Sequence, residues 1–270
     1  MSDTTDGDQP DATLRVALGE YDTGWQDPDG SLTRAESCVK RGAAIGARLI
    51  VLPEMCTTGF TMEPEQHAQP MDGPAFSRLA NMASKHDVWI LAGLAMRDEG
   101  YHNIAAIFDP AGNLAGYYAK QKLFAYGEEH DHYTPGSATY SIEIEGVRVS
   151  PFVCYDLRFP ELFRAAALQS DLMVVIANWP AARRPHWDAL LPARAIENLA
   201  YVVGVNRTGV GGGLAYDGGS VAYDPWGMPS AVRIAVASPA VVDVSTARVA
   251  SIRAKYPFLA DLAGTLALSS

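Results

Sequence analysis

One cysteine lies where a fold would place a reactive side chain at the edge of a sheet. Cys154 follows the apolar run Val147–Val153 and precedes Pro160 and Glu161, which are typical of a helix start. A thiol on such a strand-to-helix turn lies near backbone N–H groups, and this geometry suits a nucleophile. A free cysteine is also often simply buried, so its position alone leaves both interpretations open.

Three charged residues could activate that thiol. Glu54 ends the apolar run Leu49–Pro53, so we expect its carboxylate at the rim of a sheet. Lys120 follows a second run, Leu114–Tyr118, and Glu129 comes nine residues later in a polar stretch. Taken singly, each is more simply explained as a solvated surface charge. Together they favour one chemistry, because a thiol with an ordinary pKa of about 8.5 reacts at neutral pH if an ammonium lowers that pKa or a carboxylate accepts the proton.

These residues need an alternating scaffold of strands and helices. Runs rich in Val, Ile and Leu predict strands at Leu14–Leu18, Leu49–Leu52, Trp89–Leu94, Ile104–Phe108, Val147–Val153, Leu172–Ala177 and Tyr201–Val205. Helical spacing predicts helices at Ser31–Ala47, Pro74–His86, Pro160–Gln169 and His186–Leu199.

Two hairpins interrupt this alternation. The turn residues Asp109–Asn113 separate Ile104–Phe108 from Leu114–Tyr118, and Glu145–Gly146 separates Tyr140–Ile144 from the next run. The sheets are therefore expected to be mixed, and an α/β fold with two sheets is favoured over a simple doubly wound one.

Composition excludes several classes of protein. The chain has 270 residues, is 48% hydrophobic and carries a formal net charge of -10, which predicts one domain over residues 13–270 and no nucleic-acid partner. Residues 1–12 are polar and acidic, which predicts a disordered tail and no signal peptide. No apolar run approaches the ~20 residues that cross a bilayer. Three widely spaced cysteines predict no disulfide framework, so we expect a cytoplasmic protein.

Several segments of the sequence resemble motifs of one known family. They are Leu52–Met55 with Gly59–Phe60, Tyr118–Phe124, Cys154–Glu161, Ala177–Pro180, His186–Trp187, Ala193–Asn198 and Asn206–Arg207. In order and spacing they resemble the Glu, Lys and Cys motifs of the nitrilase superfamily, from Leu14 to Leu262. The resemblance implies a four-layer α-β-β-α sandwich with two mixed sheets. It also implies that Glu54, Lys120, Glu129 and Cys154 are catalytic.

The same resemblance implies a substrate and a mechanism. The runs around Cys154 and Trp179 look most like the ω-amidase branch, whose substrates are small dicarboxylic acid monoamides such as 2-oxoglutaramate or succinamate. True nitrilases usually carry Trp-Glu where this chain has Tyr155-Asp156, so an amide is favoured over a nitrile. The implied reaction forms a cysteine thioester and needs no metal or other cofactor. The backbone N–H of Tyr155 would stabilise the oxyanion together with Lys120.

Binding residues and partners are less closely specified. Phe60, Tyr126 and Trp179 adjoin the motifs and could line the pocket, or they could be core aromatics. A substrate carboxylate needs a cation, and the sequence offers Lys122, Arg158, Arg183 and Arg184 without choosing among them; Arg158 lies within the cysteine motif. Lys122 stands where the family often has His. The resemblance also implies a homodimer through the helices that begin near Pro160 and His186.

The sequence is also compatible with other functions. The same four residues would serve a carbamoylase, another aliphatic amidase or a nitrilase, and a catalytically silent member could act as a binding or scaffold module. A scaffold has no physical need for all four residues. The pair His130 and His132 could suggest a metal, but without a third ligand nearby a surface or packing role is favoured.

Overall fold

The computed structural model describes residues 11–234 and 238–264. Within those ranges the strands are β1 (Thr13–Leu18), β2 (Leu49–Val51), β3 (Trp89–Arg97), β4 (Tyr101–Phe108), β5 (Leu114–Ala119), β6 (Ile142–Ile144), β7 (Val147–Val153), β8 (Leu172–Ala177), β9 (Tyr201–Asn206), β10 (Thr208–Gly211), β11 (Leu214–Asp217), β12 (Val221–Tyr223), β13 (Val232–Arg233) and β14 (Ala240–Ser245). The α-helices are α1 (Pro28–Ala44), α2 (Pro64–His67), α3 (Pro74–His86), α4 (Glu129–His132), α5 (Pro160–Ala166), α6 (Arg184–Asn198) and α7 (Thr246–Lys255).

Two large sheets organise the chain. The first has the strand order β13-β14-β1-β2-β3-β4-β5 and the second β12-β9-β8-β7-β6. In each, three central strands are parallel, β1 to β3 and β7 to β9, and antiparallel strands flank them. The strands β10 and β11 form a separate hairpin. The prediction of two mixed sheets and of both sequence hairpins, β4-β5 and β6-β7, is confirmed.

The apolar faces of the two sheets meet in one core. Leu14, Val16 and Leu18 of β1 belong to the same buried cluster as Val149 of β7 and Val174 of β8. Ala17, on the opposite face of β1, instead joins the cluster that contains α1 and α3. Alternating side chains thus serve two layers, as expected for a strand covered on both faces.

The second sheet has its own helical cover. Gly204 of β9 lies against Trp187 and Leu191 of α6, where a Cβ would meet both side chains. Phe163 of α5 is buried in the same cluster as the residues of β7 and β8. The order of layers is therefore α, β, β, α, as the resemblance implied.

Helix boundaries differ from the predictions for local reasons. α1 begins three residues before the predicted Ser31, because Asp27 caps it by accepting from Gly30 N at 3.1 Å and Pro28 occupies its first turn. It ends before Ala47 because Gly46 has a φ of 78°. α5 ends at Ala166, and Ala167–Gln169 continue as a 3-10 turn.

The ends of the chain are described only in part. Residues 1–10 of the predicted tail lie outside the described residues, whereas Ala12 is tied to α7, donating to Thr246 Oγ1 at 2.9 Å. Within the described ranges, no helix combines the length and the apolar character that spanning a bilayer requires.

Candidate active site

The two strand ends that carry Glu54 and Cys154 meet at one edge of the sandwich. Both follow parallel strands, Glu54 after β2 and Cys154 directly after β7. Asn178 follows β8 and joins them: its backbone N–H donates to Glu54 Oε2 at 2.8 Å, and its Nδ2 donates to the Glu54 carbonyl at 2.6 Å. A contact between residues 124 positions apart thus fixes one sheet against the other.

Lys120 lies between two carboxylates. Its Nζ donates to Glu54 Oε1 at 3.0 Å and to Glu129 Oε1 and Oε2 at 3.0 and 2.8 Å. All three side chains are fully buried. Burial alone would lower the pKa of Lys120, but the facing carboxylates of Glu129 and Glu54 outweigh it and raise that pKa. The two carboxylates therefore favour the ammonium form of Lys120.

Glu129 begins α4 and is held from three directions. Besides Lys120, the Asn103 Nδ2 donates to its Oε1 at 2.8 Å and the Phe124 N–H donates to its Oε2 at 2.6 Å. The preceding residue, Glu128, has a φ of 61°. This left-handed residue turns the chain so that Glu129 points inward, and Glu128 itself is exposed.

Cys154 has the backbone of a strained turn. Its φ is 45°, a value that non-glycine residues rarely adopt, and it begins a 3-10 helix, Cys154–Arg158. Asp156 holds this turn: its carboxylate accepts from Val153 N at 3.0 Å, Lys122 N at 2.9 Å and Tyr118 OH at 2.9 Å. Burial raises the pKa of Asp156 to about 6. The Tyr155 N–H lies in the first turn, where N–H groups lack an intrahelical acceptor.

The environment of the thiol favours one of the two activation routes. Burial raises the pKa of Cys154 well above its ordinary value, the Glu54 carboxylate raises it further, and the Lys120 ammonium offsets this only in part. A base must accept the proton, and Glu54 is the carboxylate that faces the thiol.

Cys154 opens into a cavity of about 530 Å³. All four predicted binding residues line it: Phe60, Tyr126, Trp179 and Arg158. Tyr126 is 88% exposed and so lies at the mouth of the cavity. The sequence did not suggest Trp25 or the β10-β11 hairpin, which contributes Gly211, Gly212, Leu214 and Tyr216 to the wall.

The four candidate cations separate into two groups. Arg158 and Arg183 line the cavity. Lys122 instead lies 3.8 Å from Glu161 and over the Phe159 ring. Arg184 pairs with Asp188 at 2.7 Å and with Asp217 at 3.5 Å.

Comparison with known proteins matches this geometry to a family. The chain matches the carbon-nitrogen hydrolase family over residues 15–254, a range that includes all four candidate catalytic residues. The chain belongs to the carbon-nitrogen hydrolase family. It is 36% identical over 251 residues to the omega-amidase YafV of Escherichia coli strain K12, covering 92% of this chain and 96% of that protein. It is 34% identical over 216 residues to a 2-oxoglutaramate amidase of Bacillus subtilis strain 168, covering 78% and 83%.

Solved structures agree with the carbon-nitrogen hydrolase assignment. A CN-hydrolase superfamily protein of Xanthomonas campestris, with an arsenic adduct in its active site, superposes with a TM-score of 0.85 at 36% identity over 92% of this chain and 97% of that one. An amidase of Nesterenkonia sp. AN1, with acrylamide added at its active-site cysteine, gives 0.77 at 29% identity over 90% and 97%. The resemblance to the nitrilase superfamily and the implied fold are confirmed.

Two asparagines that contact the catalytic carboxylates of this carbon-nitrogen hydrolase were not predicted as site residues from the sequence. Asn103 donates through Nδ2 to Glu54 Oε1 at 2.7 Å as well as to Glu129, so one amide bridges both carboxylates. Asn178 lay within a motif but was given no role. An asparagine among apolar strand residues, as in Asn103-Ile-Ala-Ala-Ile107, is the only local signal, because a buried polar side chain requires partners.

The two histidines considered as metal ligands are in the short helix α4. His130 contacts Asp131 at 3.4 Å, and the His130 side chain is 52% exposed. Within the described ranges, no group of three or more His, Cys, Asp and Glu side chains is arranged to hold a metal ion.

Proposed function

We propose that this carbon-nitrogen hydrolase is an ω-amidase. It hydrolyses the terminal amide of a small dicarboxylic acid monoamide, of the 2-oxoglutaramate or succinamate type, to the acid and ammonia. Cys154 is the nucleophile, Glu54 the general base and acid, and Lys120 with Glu129 complete the catalytic group.

One observation carries this proposal. The buried side chains of Glu54, Lys120 and Glu129 adjoin the partly exposed thiol of Cys154 at the end of a cavity. Burying a charge costs several kcal/mol per ion, and removing one partner of a buried pair destabilises a protein by about 3–5 kcal/mol. The fold itself does not need charges at this place. We therefore attribute the three buried charges to the reactivity that they give the thiol. The names of the bacterial relatives, an omega-amidase and a 2-oxoglutaramate amidase, support the substrate class.

In the first half of the reaction Glu54 accepts the thiol proton as Cys154 Sγ attacks the amide carbon. The carbonyl oxygen becomes an oxyanion, which the Lys120 ammonium and the Tyr155 N–H stabilise. One fixed donor of this kind contributes about 3–4 kcal/mol to the transition state. Glu54 then returns its proton to the amide nitrogen, the C–N bond breaks and ammonia leaves a thioester on Cys154.

In the second half water hydrolyses the thioester. Glu54 accepts a proton from the water, the oxygen attacks the thioester carbon, and the same two donors hold the second oxyanion. The C–S bond breaks, the thiol regains its proton and the acid is released. Glu129 keeps Lys120 oriented throughout, because two of the three Lys120 contacts are with its carboxylate.

The cavity suits a small anionic amide. Phe60, Tyr126 and Trp179 form apolar walls, and Arg158 with Arg183 supplies a positively charged region for the free carboxylate. Attack on an amide needs a proton for the leaving nitrogen, and Glu54 can supply it, whereas a nitrile has no leaving group at that stage.

The proposal includes an assembly and a compartment. We propose a homodimer that uses an apolar patch of Ile196, Trp226, Met228 and Phe258, each 44–59% exposed in the single chain. Gly227 lies against Ile196 of α6, so the patch continues onto one of the two helices predicted to pair. A cytoplasmic location is supported by the three cysteines, all of which are free.

A coupled ammonia assay over ω-amides, ω-nitriles and carbamoyl compounds tests the function. We expect succinamate and 2-oxoglutaramate to have the highest kcat/KM. Carbon dioxide released together with ammonia would identify a carbamoylase and refute the proposal. Absence of turnover on the whole panel would favour a binding or scaffold member.

A further inference from the structure

Charge is distributed unevenly along the cavity. At the Cys154 end, two buried carboxylates face a single ammonium, so the local charge is negative. Among the residues that line the cavity, Arg158 and Arg183 are the cations and Glu63 is the acid. The Glu63 side chain is 52% exposed and its nearest basic neighbour is His67 at 4.0 Å. A substrate carboxylate is therefore repelled by the catalytic end and attracted to the arginines.

The two arginines differ in what already holds them. Arg158 donates through Nη2 to His186 Nδ1 at 3.0 Å, and its guanidinium lies over the Trp179 ring at 5.0 Å. The Arg183 guanidinium has no hydrogen bond or ion pair with any described residue. It lies over the Phe124 ring at 5.1 Å and is only partly exposed. Its whole planar fork of donors is thus available for a carboxylate.

The backbone holds Arg183 at a fixed place relative to the catalytic group. Its carbonyl accepts from Trp179 Nε1 at 2.8 Å, and its N–H donates to Pro180 O at 2.9 Å. The neighbouring Asn178 is bonded to Glu54 at the other end of this short segment. Residues 178–183 therefore form a short hydrogen-bonded segment between Glu54 and the Arg183 backbone.

We propose that Arg183 binds the free carboxylate of the substrate through a two-point contact and so selects ω-amides over uncharged amides. This inference rests on the proposed ω-amidase function and assigns its specificity to one residue. Arg158, already bonded to His186, contributes positive potential to the same wall.

The experiment compares succinamate with butyramide, in which a methyl group replaces the carboxylate. The readout is the ratio of kcat/KM for the two amides, in the wild type and in Arg183→Gln, Arg183→Lys, Arg158→Gln and Arg184→Gln. Arg184 is the matched control, because it is adjacent in sequence but pairs with Asp188 and does not line the cavity.

We expect Arg183→Gln to lower the succinamate to butyramide ratio about 10- to 100-fold, mainly through KM, as for loss of a charged hydrogen bond. Arg183→Lys should recover part of the ratio, and Arg184→Gln should leave it at the wild-type value. A ratio unchanged in Arg183→Gln, or lowered more by Arg158→Gln, overturns the assignment to Arg183. A wild type that does not prefer succinamate overturns the ω-amidase proposal itself, which separates the two failures.

Discussion

At the scale of single residues, the site depends on hydrogen bonds that keep like charges together. Glu54 and Glu129 share Lys120, but an ammonium has only three protons and all three are engaged by carboxylate oxygens. To donate to an oxyanion, Lys120 must give up one of these contacts. Asn103 donates to one oxygen of each carboxylate and keeps both satisfied when that happens.

Asn103→Ala should therefore reduce kcat about 10- to 100-fold with little change in KM, the expected scale for hydrogen bonds to charged groups. The free energy of unfolding should fall by about 1.5–3 kcal/mol for the same reason. Asn113→Ala, in the exposed β4-β5 turn, is the control and should retain kcat. A folded Asn103→Ala protein with the wild-type kcat would show that Asn103 does not position the carboxylates.

Sequence reasoning found the charged residues of the site but not their neutral partners. Glu54, Lys120 and Cys154 follow apolar strands, so their position at a sheet edge could be predicted. The contact of Asn178 with Glu54 depends on the packing of two sheets, and no spacing within the chain encodes that packing. The choice of Arg183 among four candidate cations also depends on distant contacts: ion pairs engage Lys122 and Arg184, and Arg158 is bonded to His186.

At the scale of elements, the close approach of β3 to the segment after β2 places Glu54. A Cβ at Gly93 would clash with the Glu54 Cα and lie 2.6 Å from both Met55 N and Pro53 O. The Gly93 N–H donates to Pro53 O at 3.1 Å, and its carbonyl accepts from Cys56 N at 2.8 Å. Backbone atoms cannot yield as a side chain can, so only glycine fits here.

Gly93→Ala should move the Glu54 segment away from Lys120 and lower both stability and activity. We expect a loss of about 1–3 kcal/mol in the free energy of unfolding, measured by urea titration, and a fall in kcat at temperatures where the protein stays folded. Gly100→Ala, in the β3-β4 turn, meets only a side-chain oxygen at 3.0 Å and is the control. Equal effects of the two substitutions would contradict this account of Gly93.

The elements themselves were largely predictable, because apolar runs and turn residues are local signals. β1, β4, β7, β8 and β9 appear where those runs are. The short strands β10 to β13 and their pairing were not predicted, since such strands carry too few residues to show a period and form through contacts with distant ones. The hairpin β10-β11 belongs to this group of strands that were not predicted. The cavity wall that this hairpin forms was therefore not predicted either.

At the scale of the whole molecule, the apolar patch that includes Ile196 on α6 predicts the assembly state. Ile196→Lys would place a charge in the proposed interface, so sedimentation velocity should give a dimer for the wild type and a monomer for the variant. Met71→Lys, at an exposed residue before α3, is the control and should remain dimeric. A wild-type monomer, or an Ile196→Lys dimer, would contradict the proposed interface.

The most direct test of the account is to trap the acyl group on Cys154. Wild-type protein is mixed with succinamate, quenched with acid during turnover, and examined by intact mass and peptide mapping. We predict a succinyl adduct on the peptide that contains Cys154, and neither adduct nor ammonia from Cys154→Ala; Cys38 and Cys56 are buried and should stay unmodified. Substantial ammonia release by folded Cys154→Ala would contradict the central claim.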